Sequence, residues 1–321
     1  MSLRILLIGS ANSWRMEAAV ERAFKRLGHT TLLIDDRRMK RKIGRVLTQR
    51  WATWRSERFR PDFVFLSKCL ALDAETVLSI IDGKPNAMWY HDPQWHRDLN
   101  RPDIAHIATI GRLARTFFVT GFEAEWRAHG LNALFLPAAG DAGIKPVPHD
   151  DRFASDVAFI GAGYDRDRGE LLFKVANKQN VRVWGPGWDE WESALNWTGK
   201  SVEGRDFAAV CSSSKIVLGI NPSRAAGGVS YTSDRTWMVM LAGGFYLMQR
   251  TPGIASMLGD GEHCAFYDDA ESCAVQCENY LNDPDSRNRI RTAGESFVRA
   301  HHTYDQRVHN LIENREFANP L

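Results

Sequence analysis

Several stretches of this chain bring together side chains suited to holding a phosphorylated or sugar-like ligand. Gly227-Gly228-Val229-Ser230-Tyr231-Thr232-Ser233 is rich in glycine and hydroxyls and leads into Asp234-Arg235. With Ser233 or Asp234 capping a helix, Ser230, Tyr231, Thr232, Ser233 and Arg235 form a cradle for a diphosphate, since helix-start N–H groups and a guanidinium both attract anions. A second stretch runs from Phe159 to Arg168, where Gly161 and Gly163 allow close backbone approach and Arg166 or Arg168 suits diphosphate oxygens. Gly185 and Trp188, in Trp184-Gly185-Pro186-Gly187-Trp188, offer a slot where a nucleobase stacks; tryptophans in a core beside a turn are the alternative. His91 and Asp92, in Trp89-Tyr90-His91-Asp92-Pro93, suit proton transfer or a hydrogen bond to a sugar hydroxyl, or else a plain strand-end turn with Asp92 as cap. Gly9, Ser10, Asn12 and Ser13 form a loop whose backbone N–H groups can approach a phosphate or sugar oxygen, although G-S-A-N-S is not the dinucleotide fingerprint.

The elements that position these residues follow from hydrophobic periodicity. Residues 3–8 are a short apolar strand, and Met16, Ala19, Val20, Ala23, Phe24 and Leu27 mark a helix that Gly28 ends. Strands follow at 30–34, 61–67, 86–90, 116–119 and 133–136, with helices at 74–81 and near 122–129. Residues 137–148 carry three prolines and two glycines and read as a linker. The pattern then restarts. Strands are expected at 156–160, 181–184, 215–220 and 245–248, and helices at 170–176, 207–212, 235–242, 272–281, 285–299 and 303–314. Two successive β/α halves argue for two doubly wound domains with parallel sheets, whose ligands sit at the carboxyl ends of the strands.

The 321 residues, 44% hydrophobic, suffice for two packed domains. No apolar run approaches the roughly 20 residues that span a bilayer, and the first residues do not read as a signal peptide, so a cytoplasmic enzyme is expected. Five scattered cysteines show no zinc spacing, and no metal site is expected. Net charge is only +2, yet residues 37–60 hold ten Lys/Arg against one acid, Glu57. With Trp51, Trp54 and Phe59 interleaved, Arg41, Lys42, Arg45, Arg50 and Arg55 form a basic patch suited to an anionic acceptor: nucleic acid, an anionic lipid surface or an acidic glycan. A solvated helix with its tryptophans turned inward is the alternative.

The order of short motifs resembles the CgeB-type (spore maturation protein-like) glycosyltransferases. It comprises the glycine loop after the first strand, Arg60-Pro61-Asp62, Trp89 to Pro93, Asp156 to Gly161, Asn221, Ser233-Asp234-Arg235, Gly243-Gly244-Phe245, and His302 to Arg307. The resemblance implies two facing Rossmann-like domains, the GT-B arrangement. Residues 1–140 are then the acceptor-side domain, 141–150 a linker, 151–300 the nucleotide-sugar-binding domain, and 301–321 a C-terminal helix packing back on the first. It further implies metal-independent transfer from a nucleotide-sugar such as a UDP- or GDP-sugar, used as co-substrate, with no cofactor. Related transferases often carry a glutamate that contacts the donor ribose where this chain has Met238. A catalytically degenerate binding module and a sugar-nucleotide epimerase are the competing readings.

Overall fold

The computed structural model describes residues 2–92, 100–222 and 231–319. The chain divides into two units, Met1–Asp141 with Tyr304–Ala318, and Ala142–Thr303 with Asn319–Leu321. Each is built around one six-stranded parallel sheet.

In the first unit, strands β1 (Arg4–Ile8), β2 (Thr30–Ile34), β3 (Phe63–Leu66), β4 (Asn86–Tyr90), β5 (Phe117–Val119) and β6 (Ala133–Phe135) lie in the order β2-β1-β3-β4-β5-β6. Strands β3 and β4 are buried along their whole length. They read as continuous apolar runs because helices cover both faces of a parallel sheet. Alternate residues serve alternate faces. Leu6, Ile8, Val64, Leu66, Met88 and Tyr90 pack into one core. Ile5, Leu7, Phe63, Phe65 and Trp89 pack into the other. Helix α1 (Met16–Arg26) covers this second face through Val20 and Phe24. Helices α2 (Asp36–Phe59) and α3 (Ala74–Ile81) cover the first face through Ala52, Val77 and Ile80. Helix α4 (Pro102–Leu113) joins them through Ile104, Ile107 and Ile110. It occupies a stretch where the sequence reading places no element, although these isoleucines recur at helical spacing. A short α5 (Glu123–Ala128) follows β5.

In the second unit the strands are β7 (Ser155–Ile160), β8 (Val181–Trp184), β9 (Asn196–Trp197), β10 (Ser214–Gly219), β11 (Tyr246–Gln249) and β12 (Ala265–Tyr267), in the order β12-β11-β10-β7-β8-β9. Helices α6 (Arg166–Ala176), α7 (Gly204–Ser213), α8 (Asp234–Leu241), α9 (Pro252–Met257), α10 (Ala270–Leu281) and α11 (Pro284–His301) surround them. Gly294 lets α11 approach the His263 carbonyl, which a Cβ there would strike.

The last helix, α12 (Tyr304–Glu313), belongs to the first unit. Tyr304, Val308 and Leu311 are fully buried against α1 and the sheet. Arg26 donates to Asp305 at 2.6 Å and to Asp141 at 3.0 Å. The buried Arg307 donates to the Pro137 carbonyl at 3.1 Å and lies over Phe317. Among the described residues no helix is long and apolar enough to cross a membrane. All five cysteines are buried thiols.

Candidate functional site

In the second unit β7 ends at Ile160, and two arginines flank the ring of Phe159 just behind that end. The Arg235 guanidinium lies 5.2 Å from the ring centroid and donates to the Ile160 carbonyl. Arg168, in the first turn of α6, lies 5.9 Å from the same ring. It donates from Nη1 to the Ala162 carbonyl at 3.2 Å and from Nη2 to the Ile220 carbonyl at 3.0 Å. Arg168 is only 8% exposed. Burial, and then the neighbouring Arg235, pull its pKa down to about 10, so it is still a cation at neutral pH. Among the described residues neither arginine forms an ion pair with a carboxylate, and the Nε atoms of both are buried without a partner. Thr232 Oγ1, buried close along the chain from Arg235, is likewise without a partner. Two neighbouring cations, held by carbonyl oxygens and, at Arg235, also by the Tyr246 hydroxyl, with unused donors, are costly unless an anion joins them.

Glycines leave the room this requires. A Cβ on Gly161 would occupy the place of the Arg235 guanidinium, and one on Gly163 would strike the Gly187 carbonyl and the Trp188 indole. Their N–H groups are taken up by Trp184 and Pro186 carbonyls, so both glycines supply space, not donors. Gly185 adopts φ 130° and folds tightly against Gly161. Ser233 is the N-cap of α8 in extended backbone, with no hydrogen bond from its side chain to the helix, while the Asp234 carboxylate accepts the Arg235 N–H at 2.8 Å. Tyr231 is 8% exposed.

Three expectations are corrected here or fall outside. Arg166 turns outward and pairs with Glu170 at 3.0 Å with 83% of its side chain exposed, so Arg168 is the inward arginine. Trp188 is fully buried in the core, its Nε1 donating to the Gly161 carbonyl at 2.9 Å. Its ring braces the loop from behind and leaves no face for a base. Ser230, with Gly227, Gly228 and Val229, lies outside the described residues.

In the first unit the loop from Gly9 to Ser13 is tied to its surroundings and to itself. Gly9 N–H donates to Ile34, Ala11 N–H to Asp35 at 3.0 Å, Asn12 N–H to Ser10 Oγ at 3.3 Å and Trp14 N–H to Asn12 Oδ1 at 3.1 Å. The Ser13 carbonyl accepts from Arg22. The expected row of free backbone donors is therefore partly occupied, by Ile34 and Asp35 at the end of β2 and by the loop's own Ser10 and Asn12. Gly9 is small because Glu17 packs beside it, and the buried Glu17 carboxylate accepts Ser67 Oγ–H at 2.7 Å.

His91 and Asp92 follow β4 but do not act on one another. Asp92 is bound by Lys68 Nζ at 2.6 Å. His91 packs its ring 4.1 Å from that of Trp89, and among the described residues both its nitrogens are buried without a hydrogen-bond partner. Burial and the nearby Lys68 hold its pKa well below the usual histidine range, so the ring is neutral. The carboxylate that was to orient the imidazole is thus held elsewhere. Pro93 lies outside the described residues. Lys68 and Cys69 both adopt positive φ, 50° and 49°, rare for side-chain-bearing residues and common at functional sites.

The basic segment is one helix, α2, kinked at Gly44, whose φ of 79° breaks the regular turn. Arg41 and Arg45 join Arg37 and Lys40 along a cleft of about 570 Å³ floored by Leu70 and Ala71, and His106 lines it too. The buried Asp36 carboxylate accepts the Ala71 N–H at 2.7 Å and His106 Nε2 bonds the Cys69 carbonyl at 2.9 Å, which pins both walls to the turn after β3. Lys42 and Arg50 are exposed away from this cleft, and Arg55 lies over the Trp51 ring, 5.8 Å from its centroid.

Residues 166–313 match the model of a family described as glycosyl transferase-like. The match covers less than half of the chain. It runs from the helix that carries Arg168, through Arg235, to the end of α12, so the match takes in both inward arginines. No curated protein matches the chain in sequence. Solved structures match nearly all of it. Sucrose-phosphate synthase from Thermosynechococcus elongatus aligns with a TM-score of 0.67 at 12% identity over 97% of this chain and 98% of that one. HepE from Anabaena, solved with UDP and glucose, aligns at 0.67 and 9% over 96% and 98%. An α-glucosyltransferase solved with UDP and a 13-mer DNA aligns at 0.66 and 10% over 98% and 100%. At such identities the likeness is one of fold, the two-domain GT-B fold of glycosyltransferases.

Several participants escaped the sequence reading. Lys68, Glu17, Ser67 and Asp35 all stand at strand ends or in the helix that follows, where polar residues interrupt apolar runs, and that interruption was the available signal. The stacking of His302 on Trp237, 4.2 Å apart and 5° from parallel, had none.

Proposed function

We propose that the chain is a glycosyltransferase that needs no metal and moves a sugar from a nucleotide-sugar, UDP- or GDP-linked, to an acceptor carrying negative charge. The observation that carries this reading is the pair Arg168 and Arg235, two cations that share the Phe159 ring and form no salt bridge to a carboxylate among the described residues. A diphosphate supplies the missing anion. As the bond between the sugar's anomeric carbon and the diphosphate oxygen breaks, negative charge grows on that oxygen, and fixed guanidinium donors stabilise it. The acceptor hydroxyl forms the new bond and gives up its proton. The neutral His91 of the first unit, with both nitrogens unengaged among the described residues, has the chemistry to bond a sugar hydroxyl or to accept a proton. Three structures of like fold were solved with UDP or with sugars, which supports the donor class. The basic cleft beside α2 supports an anionic acceptor, and a cytoplasmic site of action fits this reading.

Met238 favours one alternative, a degenerate binding module, because a thioether cannot accept hydrogen bonds from ribose hydroxyls usefully. A thermal-shift panel of UDP, GDP, dTDP, ADP and CMP, combined with a nucleotide-sugar hydrolysis assay, tests both. A selective shift of one diphosphate with slow release of its sugar to water is expected. A shift without turnover supports the binding module, and neither shift nor turnover discards the donor site altogether.

A further inference from the structure

The outward side of α2 beyond the Gly44 kink has a composition that the donor chemistry does not use. Thr48, Ala52 and Ser56 face inward and are buried. The opposite pole carries Val46, Leu47 and Trp54, which are 65%, 54% and 52% exposed. Exposed arginines stand among them, Arg50 and Arg58, with Glu57 the one acid of the arm. An ordinary surface helix turns its apolar residues inward and its charges outward. Here a tryptophan and two aliphatic side chains join the charges on the solvent side.

We infer that this face docks on an anionic phospholipid surface, with Val46, Leu47 and Trp54 entering the headgroup boundary and the arginines meeting lipid phosphates. A basic helix with Trp and aliphatic residues interleaved lies in the plane of an interface, and Trp favours that depth. Charge decides against the other occupants. A second copy would bring the same cationic face against this one. A nucleic acid would use the arginines and could stack on Trp54, but would gain nothing from exposed Val46 and Leu47. A lipid surface uses both kinds of side chain. The inference does not rest on catalysis, because it concerns only where the first unit binds.

Co-sedimentation of the full chain with vesicles tests it, using phosphatidylcholine alone and phosphatidylcholine mixed with phosphatidylglycerol. Binding is expected only to the mixed vesicles and should weaken with salt. Leu47→Ser with Trp54→Ala should lower the partition coefficient about tenfold or more. Arg50→Gln and Arg58→Gln should each lower it about fivefold. These side chains are exposed, so the far-ultraviolet circular dichroism and melting temperature of each variant should stay unchanged. Absence of binding to mixed vesicles at low salt overturns the inference, as does equal binding to phosphatidylcholine alone. So does an apolar double variant that binds like the parent, or an oligonucleotide that displaces the vesicles while binding that double variant undiminished. A concentration-dependent dimer abolished by Leu47→Ser would assign the face to a second copy instead.

Discussion

Arg168 and Arg166 are two residues apart and behave as opposites. The inward guanidinium is held by carbonyls of two different loops, and the outward one by a single exposed glutamate. Charge-assisted hydrogen bonds contribute about 1.5–3 kcal/mol each, exposed ion pairs about 0–1. Arg168→Ala or Arg235→Ala should therefore weaken nucleoside diphosphate binding about 10- to 100-fold by calorimetric titration, while Arg166→Ala leaves it within about threefold. Equal losses in all three would place the anion elsewhere. Gly161→Ala belongs to the same group, because the added methyl takes the volume of the Arg235 guanidinium. It should copy the binding defect of Arg235→Ala, with little change in the melting temperature.

At the scale of elements, α12 completes the first unit although it comes last in the chain. Leu311 and Val308 fill the face of the sheet that α1 covers only in part, and Arg26 ties α1 to both Asp305 and Asp141. Leu311→Ala removes buried methyl groups from a packed core, at about 2–5 kcal/mol. Hydrogen exchange should show the loss in α1, β1 and β3, with β7 and β10 of the other unit unaffected. A uniform loss over both units would mean that they unfold together. Gly163 plays a similar part between β7 and β8. Gly163→Ala forces the Gly187 carbonyl or the Trp188 indole to move and should lower stability as well as diphosphate affinity.

At the scale of the whole molecule, His29 and His91 in the first unit and His263 in the second all have pKa values lowered by burial. The unfolded chain therefore binds protons below about pH 6.5 that the folded chain refuses. Stability rises with pH wherever the unfolded state holds more protons, so it falls as pH drops below 6.5. For the buried His91 ring the loss is at most about 1.4 kcal/mol per pH unit. Melting temperatures should fall between pH 7 and pH 5, and His91→Asn should flatten part of that slope. A variant with the parent's slope would show that the imidazole protonates freely in the folded chain.

The sequence by itself determined the two parallel sheets, because helix-covered strands must be apolar along their length and each is punctuated by a glycine or polar turn. It also marked Arg235, Arg168, His91 and the basic segment, whose residue types stand out at strand ends and helix starts. It left α4 unplaced despite its isoleucines. Only the tertiary structure decided which arginine turns inward, since that depends on which carbonyls converge near Phe159 from Ala162 and from Ile220, distant in the chain. It decided too that Asp92 binds Lys68 and not its neighbour His91, and that Trp188 is core, because adjacent residues at a strand end diverge onto different surroundings. Local pattern specifies which elements form; the side chain's partner is specified by elements that meet only on folding.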